Sequence, residues 1–420
     1  MQVEVARHAL DRVPLSLIID DSAPLVNLNY FWLRDRIAHT GRHQRWEDVP
    51  VVIPESFTRE WAEWCLEHGV KGKYSVVPVP AGIARIDQDL PLFGKAQLAS
   101  WLAMCREVIV PAFDITPEML THTWVLDVQT LQPLPSRIWE QYEWAAFSEA
   151  EAEYVGGYMA LACQILANVG LPPQGVTSPG GFGGKVLPLY ARLAGEAVRS
   201  VTGNPIPYFF KRVSSEGRVE VPVWYADREA GTAVGEIIAS VGDWTGSWTG
   251  YGEANADRYI AADLHGGRLP EVIDAGDPCV LVSHWQGFYG LHNEDRRGSR
   301  VLQTVVERLQ ARDPRGERTQ WRRPSEITAY AIAREMAELR VLPDDREENV
   351  TIELDLPVRV PDFTLCIRGA VVREMWWDGR PLRRVHERSA FRSGTFLAQG
   401  DATLAAFDPA ERRSLVTLAV

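Results

Sequence analysis

Long apolar runs are missing from this chain: no stretch of about 18 apolar residues occurs anywhere, so no membrane-spanning helix is expected. Met1 to Leu15 lacks a basic segment followed by an apolar one, so no secretory leader is expected and the cytoplasm is the expected compartment. Cysteine is sparse. Cys65, Cys105, Cys163, Cys279 and Cys366 are odd in number, widely spaced and free of any CxxC pair, which reads as reduced core thiols. Positive charge is also in deficit, with 44 Lys and Arg against 56 Asp and Glu, a formal net charge of -12. Such a field repels phosphate backbones and anionic lipid, so neither nucleic acid nor a membrane surface is expected as a partner. There is no internal repeat, no low-complexity segment, and no GK[ST] after the glycine run at Gly180 to Gly184 that would make it a phosphate loop.

What remains is ordinary globular material. Of the 420 residues 46% are hydrophobic and 24% charged, enough for a sizeable core and too long for one small one. Leu15 to Ile19 is a β-rich apolar run that stops at Asp20-Asp21, which predicts a buried strand ending in carboxylates. Ser56 to His68 has Phe57, Trp61, Trp64 and Cys65 at helical spacing and predicts a helix, with Lys73 to Val79 as the next strand. The alternation continues with helices over Lys95 to Arg106 and Glu149 to Val169, and strands over Glu107 to Phe113 and before Ser178. Ile206 to Val213 and Pro278 to Ser283 read as further strands, with a helical stretch from Ala256 to Ala275 before the second. Strands separated by helices imply parallel pairing and an α/β fold. Ser325 to Leu339 reads as a helix capped by Ser325. The acidic, proline-containing stretch Pro343 to Asn349 reads as a boundary between a domain over residues 1–342 and a small β-sandwich-like domain over 350–420.

In an α/β barrel the active site lies at the carboxyl ends of the strands. Four places fit: Asp20-Asp21, His122, Ser178-Pro179-Gly180-Gly181, and His284. Neighbouring carboxylates on an extended strand point to opposite faces, so one can ligate a metal while the other acts as a base. The 15 tryptophans add flat amphipathic rings of the kind that stack on sugars, although most Trp pack in cores.

The run "LIIDDS" resembles the paired-aspartate motif of the polysaccharide deacetylases, and "HTWVL" at His122 resembles their histidine motif with Leu126 where a second histidine would stand. "SPGGFG" from Ser178, "GDW" at Asp243-Trp244, and "VLVSHW" at His284-Trp285 follow in the family's order over roughly residues 10 to 290. The resemblance implies a TIM-like (β/α)7 barrel and metal-dependent deacetylation of an acylated sugar or polysaccharide. It implies Asp20 as general base, His284 as general acid, and Asp21 with His122 as ligands of a divalent ion. Asp127 is the nearby group left to complete that set, and zinc suits imidazole with carboxylate. Ser178, Pro179, Gly180, Asp243, Trp244 and Trp285 are the implied carbohydrate contacts.

Two rivals stand beside this reading: a glycoside hydrolase on a related seven-stranded barrel using Asp20 with Asp127 or Asp243, and a sugar-binding protein without catalysis. A homo-oligomer is left open. The plain alternatives for the acidic doublet and His122 are a helix cap and a loop histidine. His8, His39, His43 and His68 have no metal-ligand spacing to one another and are given no chemistry, and His265, His292 and His386 read as loop or surface residues.

Overall fold

The computed structural model describes residues 1–24, 52–91, 93–136, 138–248, 252–290, 295–343 and 349–420. At its centre is β2 (Val13–Ser22), all ten residues of which are buried. A strand with Leu15, Leu17 and Ile19 on one face and Ile18 on the other can be covered on both sides, and that suits a parallel sheet. It pairs in parallel with β3 (Gly72–Val76), β9 (Cys279–His284) and β10 (Thr319–Trp321), and β3 pairs in parallel with β4 (Phe113–Pro117). Gly72 is required here, because a Cβ at that position would lie 1.7 Å from the Leu17 carbonyl oxygen.

A second sheet runs β5 (Gly175–Thr177), β6 (Tyr208–Val213) and β8 (Thr232–Ala239) in parallel, with β7 (Val223–Asp227) antiparallel at its edge. The two sheets meet twice. Glu118 bridges Thr177 in parallel beyond the end of β4, and the Ser240 amide donates to the Val280 carbonyl at 2.8 Å. The molecule is therefore mixed α/β with parallel sheets.

Helix α1 (Glu55–Glu67) buries Phe57, Trp61 and Cys65. Helices α2 (Lys95–Met104), α3 (Ala152–Asn168) and α4 (Leu187–Thr202) follow the later strands. Three local expectations change. Glu107 to Phe113 is not a strand: Cys105–Ile109 continues α2 as a wider helical turn, and the strand starts at Phe113. Ala256 to Ala275 is two helices, α5 (Ala256–Tyr259) and α6 (Arg268–Asp274), split at Gly267, whose φ of 91° and contact with the Tyr259 carbonyl exclude a side chain. A short α7 (Trp285–Tyr289) and then α8 (Arg297–Arg312) come before α9 (Pro324–Met336). Ser325 does not cap α9. Its amide and hydroxyl donate to buried Asp114 of β4 at 2.7 and 2.8 Å, so a carboxylate from the sheet serves the helix N-terminus.

The C-terminal strands form two further sheets. One has the order β1 (Gln2–Val5), β13 (Phe363–Arg368), β18 (Ala402–Phe407), β17 (Thr395–Gln399), β16 (Arg383–Val385). The other is β11 (Glu338–Pro343), β12 (Asn349–Asp355), β19 (Arg413–Ala419), β14 (Glu374–Trp377), β15 (Arg380–Pro381). Leu354, Leu365, Phe396 and Leu418 pack in one core between them, joined by Tyr330 and Met336 of α9. Pairing crosses the boundary expected at 343–349. The first strand of the chain and Glu338–Pro343 both belong to these sheets, and residues 344–348 lie outside those described. Among the described residues no helix is long and apolar enough to cross a membrane.

Candidate functional site

The parallel pairing sets Asp20 beside His284, because the β2–β9 register ends on that pair. From that point a cleft of about 280 Å³ opens at the carboxyl ends of the strands. Asp20, Asp21, His122, Ser178 and Gly180 line it, and so do Asp243 and His284, so seven residues expected from sequence share one wall or another of it. Glu118, Gln141, Phe210, Lys211 and Trp248 complete the polar and aromatic lining.

Two non-glycine residues of this lining have left-handed backbone, Asp21 at φ 65° and His122 at φ 62°, a conformation L-residues adopt at a cost. In both cases a buried glutamate takes the backbone amide. The Asp21 amide donates to Glu118 Oε2 at 2.6 Å, and the His122 amide donates to Glu140 Oε2 at 2.7 Å. Glu140 also accepts from the Thr121 amide at 2.9 Å and from the Tyr158 hydroxyl. These contacts turn the Asp21 and His122 side chains toward each other, with Asp21 Oδ1 2.8 Å from His122 Nε2 and Glu118 Oε1 3.5 Å from the same nitrogen. One donor atom from each of Asp21, Glu118 and His122 falls within 4.8 Å of the others, and all three residues are buried. Two carboxylate oxygens and an imidazole nitrogen at that spacing fit a divalent ion such as zinc. The Gln286 amide donates to the other Asp21 oxygen at 3.1 Å, and the Gln141 amide lies 3.0 Å from His122 Nδ1.

Asp20 is held separately. Lys73, fully buried on β3, donates to Asp20 Oδ1 at 2.5 Å and to Thr177 Oγ1 at 2.6 Å. Thr177 and Thr116 hydroxyls share a 2.8 Å hydrogen bond. Ser75 ties the two acidic positions together, donating to Glu118 Oε2 at 2.5 Å within 3.4 Å of Asp20 Oδ1. Across the cleft His284 Nδ1 donates to Asp243 Oδ2 at 2.8 Å, while the other Asp243 oxygen accepts from the Thr245 amide at 3.0 Å and hydroxyl at 2.6 Å.

The charges perturb one another. Burial raises the Glu118 carboxyl, and the neighbouring Asp21 and Asp20 charges raise it further. Burial pulls the His122 imidazole down, but the Asp21 and Glu118 carboxylates outweigh it and bring it up to about 10. His284 is likewise pulled down by burial and carried up to about 10 by the Asp243 hydrogen bond and the Asp21 charge. Burial lifts Glu140 to about 7 against the Tyr158 hydrogen bond, and lowers Lys211 to about 8.

Four sequence expectations fail. Asp127 is no metal ligand: it accepts from the Gln129 and Thr130 amides at 3.0 and 2.8 Å and so closes its own turn, which also removes the Asp20–Asp127 pair. Trp285 is no sugar contact, being buried among Trp61, Tyr74 and Phe288. Trp244 packs on Tyr259 with Arg258 4.3 Å above its ring, outside the cleft lining. Pro179 does not line the cleft either; its carbonyl accepts from the Phe182 amide in the turn. Leu126, the residue in place of the second motif histidine, is a core residue whose carbonyl accepts from Tyr154. Among the other histidines, His68 stacks on Trp64 and His8 meets the Gly276 carbonyl, while His39, His43 and His292 lie outside the described residues.

No family model matches the chain, and no curated protein matches it in sequence. Among solved structures it is similar to a GH31 dextranase of Flavobacterium johnsoniae complexed with isomaltotriose, at 9% identity and a TM-score of 0.29 over 88% of this chain and 69% of that one. The same dextranase complexed with glucose gives the same values. A glycoside hydrolase family 30 subfamily 8 xylanase from Clostridium acetobutylicum gives 8% identity and a TM-score of 0.30 over 86% of this chain and 92% of that one. At such values neither fold nor activity transfers.

Proposed function

We propose that the protein is a carbohydrate-active hydrolase in which seven of the parallel strands, β2, β3, β4, β5, β6, β8 and β9, form one barrel, with the active site at its carboxyl rim. The observation that carries this reading is the grouping, in one cleft, of an Asp21–Glu118–His122 donor cluster, a carboxylate Asp20 held by a buried lysine, and an imidazole His284 held by a carboxylate. The cleft volume suits about one sugar unit, and carboxylates, the Gln141 amide and Trp248 supply the mixture of hydrogen-bond partners and aromatic surface that sugars use.

The finer reading is removal of an acyl group from a sugar. Asp21, Glu118 and His122 would hold a divalent ion, which supplies Lewis acidity toward a carbonyl oxygen. Asp20 takes the proton of the attacking water, with Lys73 fixing its orientation. His284 gives its proton to the departing sugar oxygen or nitrogen, and Asp243 keeps the imidazole charged and aimed. Water adds to the acyl carbon, the bond to the sugar breaks, and acid and free sugar leave.

One observation favours a second chemistry. Asp21 and Glu118 bring carboxyl oxygens within 4.8 Å, close to the ~5 Å used by retaining glycosidases, and Glu118 is pushed toward its protonated form as a general acid must be. Assaying acetate release from acetylated chito-oligosaccharides and reducing-end release from unacetylated ones, each with and without chelator, separates the two. Chelator-sensitive acetate release that Asp20→Asn abolishes supports the first reading. Chelator-insensitive glycoside cleavage establishes the second, and neither activity on any sugar panel overturns both.

A further inference from the structure

A second cavity, of about 700 Å³, lies at the other end of the same strands. Its lining includes Pro14 near the start of β2, Ile206 just before β6 and Pro278 just before β9, together with residues 359–361 between β12 and β13. In a chain of net charge -12 this lining is rich in arginine: Arg7, Arg12, Arg218, Arg322, Arg334 and Arg359. Three are already ion-paired, to two carboxylates. Arg7 and Arg218 each reach Asp277 at 2.7 Å, and Arg322 reaches Asp362 at 2.6 Å.

Arg12, Arg334 and Arg359 make no ion pair among the described residues. Arg12 donates only to the Arg388 and Phe391 carbonyls, at 2.9 and 3.3 Å, and its buried Nε has no hydrogen-bond partner. Arg334 donates to the Arg7 carbonyl at 3.2 Å. Of the three carboxylates on the lining, Glu326 is engaged by Lys71 at 3.6 Å and by the Arg323 amide at 2.7 Å, and Glu220 and Glu335 are exposed. Arg12 and Arg334 are half-buried and Arg359 is exposed; guanidinium groups lining a cavity without carboxylate partners are matched by an oxyanion, which takes their paired N–H groups in a planar fork. Ile206, Val221, Ile327 and Val360 give the wall an apolar part beside the polar His8, Gln174, Asn204 and Ser325, and the volume lies in the range of about 300–1,000 Å³ typical of small-molecule sites.

We propose that this cavity binds a small organic oxyanion, its phosphoryl or carboxylate group on Arg12, Arg334 and Arg359 and its body against the Ile206, Val221 and Val360 wall. The site is separate from the catalytic cleft and does not depend on the reaction carried out there.

Calorimetric titration of the full chain at constant ionic strength with inorganic phosphate, a hexose phosphate and citrate tests this, with chloride as the control. Saturable binding of at least one probe is expected, weakened at least about ten-fold by Arg334→Gln with Arg359→Gln and unchanged by Asp21→Asn. A preference for the phosphates identifies a phosphoryl ligand, and a preference for citrate identifies a polycarboxylate. An unchanged melting temperature of the double variant shows that it is folded. Absence of saturable binding to all three probes, or binding that the double variant leaves intact, overturns the proposal.

Discussion

Replacing Lys73 with methionine keeps the aliphatic stem and removes only the ammonium. In the folded protein that ammonium is fully buried, 2.5 Å from Asp20 Oδ1, 2.6 Å from Thr177 Oγ1 and 4.9 Å from the centre of the Phe210 ring. The variant leaves Asp20 as a buried carboxylate whose neighbouring Ser75 hydroxyl, 3.4 Å away, already gives its proton to Glu118 at 2.5 Å. Breaking one side of a buried ion pair costs about 3–5 kcal/mol, because the surviving charge keeps its desolvation cost and loses its compensation. At roughly 2–4 °C per kcal/mol for a unit of this size, the first thermal transition should fall by about 6–20 °C. Adding Asp20→Asn to Lys73→Met removes the stranded charge and should recover more than half of the loss, a coupling that a double-mutant cycle reads directly. Scanning calorimetry of the parent, the two single variants and the double variant is the assay. A Lys73→Met protein melting within about 2 °C of the parent, or a double variant losing the sum of the two single effects, would refute the reasoning.

Three further outcomes follow from the same contacts. Asp127→Ala should leave metal binding and hydrolysis unchanged, since Asp127 only closes its own turn, and loss of either would return it to the site. Trp285→Ala should destabilise by about 3–5 kcal/mol in denaturant titration through the cavity it leaves among Trp61, Tyr74 and Phe288; a marginal effect would contradict its core placement. Burial pulls the His8 imidazole from 6.5 down to about 4, so the folded state gives up stability as pH falls from 6.5 through about 4, and His8→Asn should flatten that limb of the melting-temperature curve against pH, where an unchanged limb argues otherwise.

The acidic doublet was legible because an apolar run stops on it: β2 is buried throughout, and the polar residues fall where the strand ends. The "VLVSH" run marks β9 for the same reason. Glu118 was not legible. The apolar stretch around Val108 reads as a strand, whereas its residues finish a helix and the strand runs from Phe113 to Pro117, so the residue just past its end is Glu118, four residues before His122. That i,i+4 spacing was the one available signal. Lys73 was visible as a strand residue, but a buried lysine announces itself only through a partner 53 positions away. Trp285 misled because it follows the cleft residue His284 in sequence, while the short helix it opens turns its ring into the core. The N-terminal strand's place in the C-terminal sheet is a pairing across the whole chain, which no local pattern encodes.

The central claim is that Asp21, Glu118 and His122 form a divalent-ion site, and zinc uptake tests it most directly. Metal-stripped protein titrated with zinc and measured by elemental analysis after desalting should retain about one ion per chain, and Glu118→Gln and Asp21→Asn should each lose it while Asp127→Ala retains it. A parent protein that retains no zinc, manganese or other divalent ion, or a Glu118→Gln variant that binds as the parent does, would contradict the account.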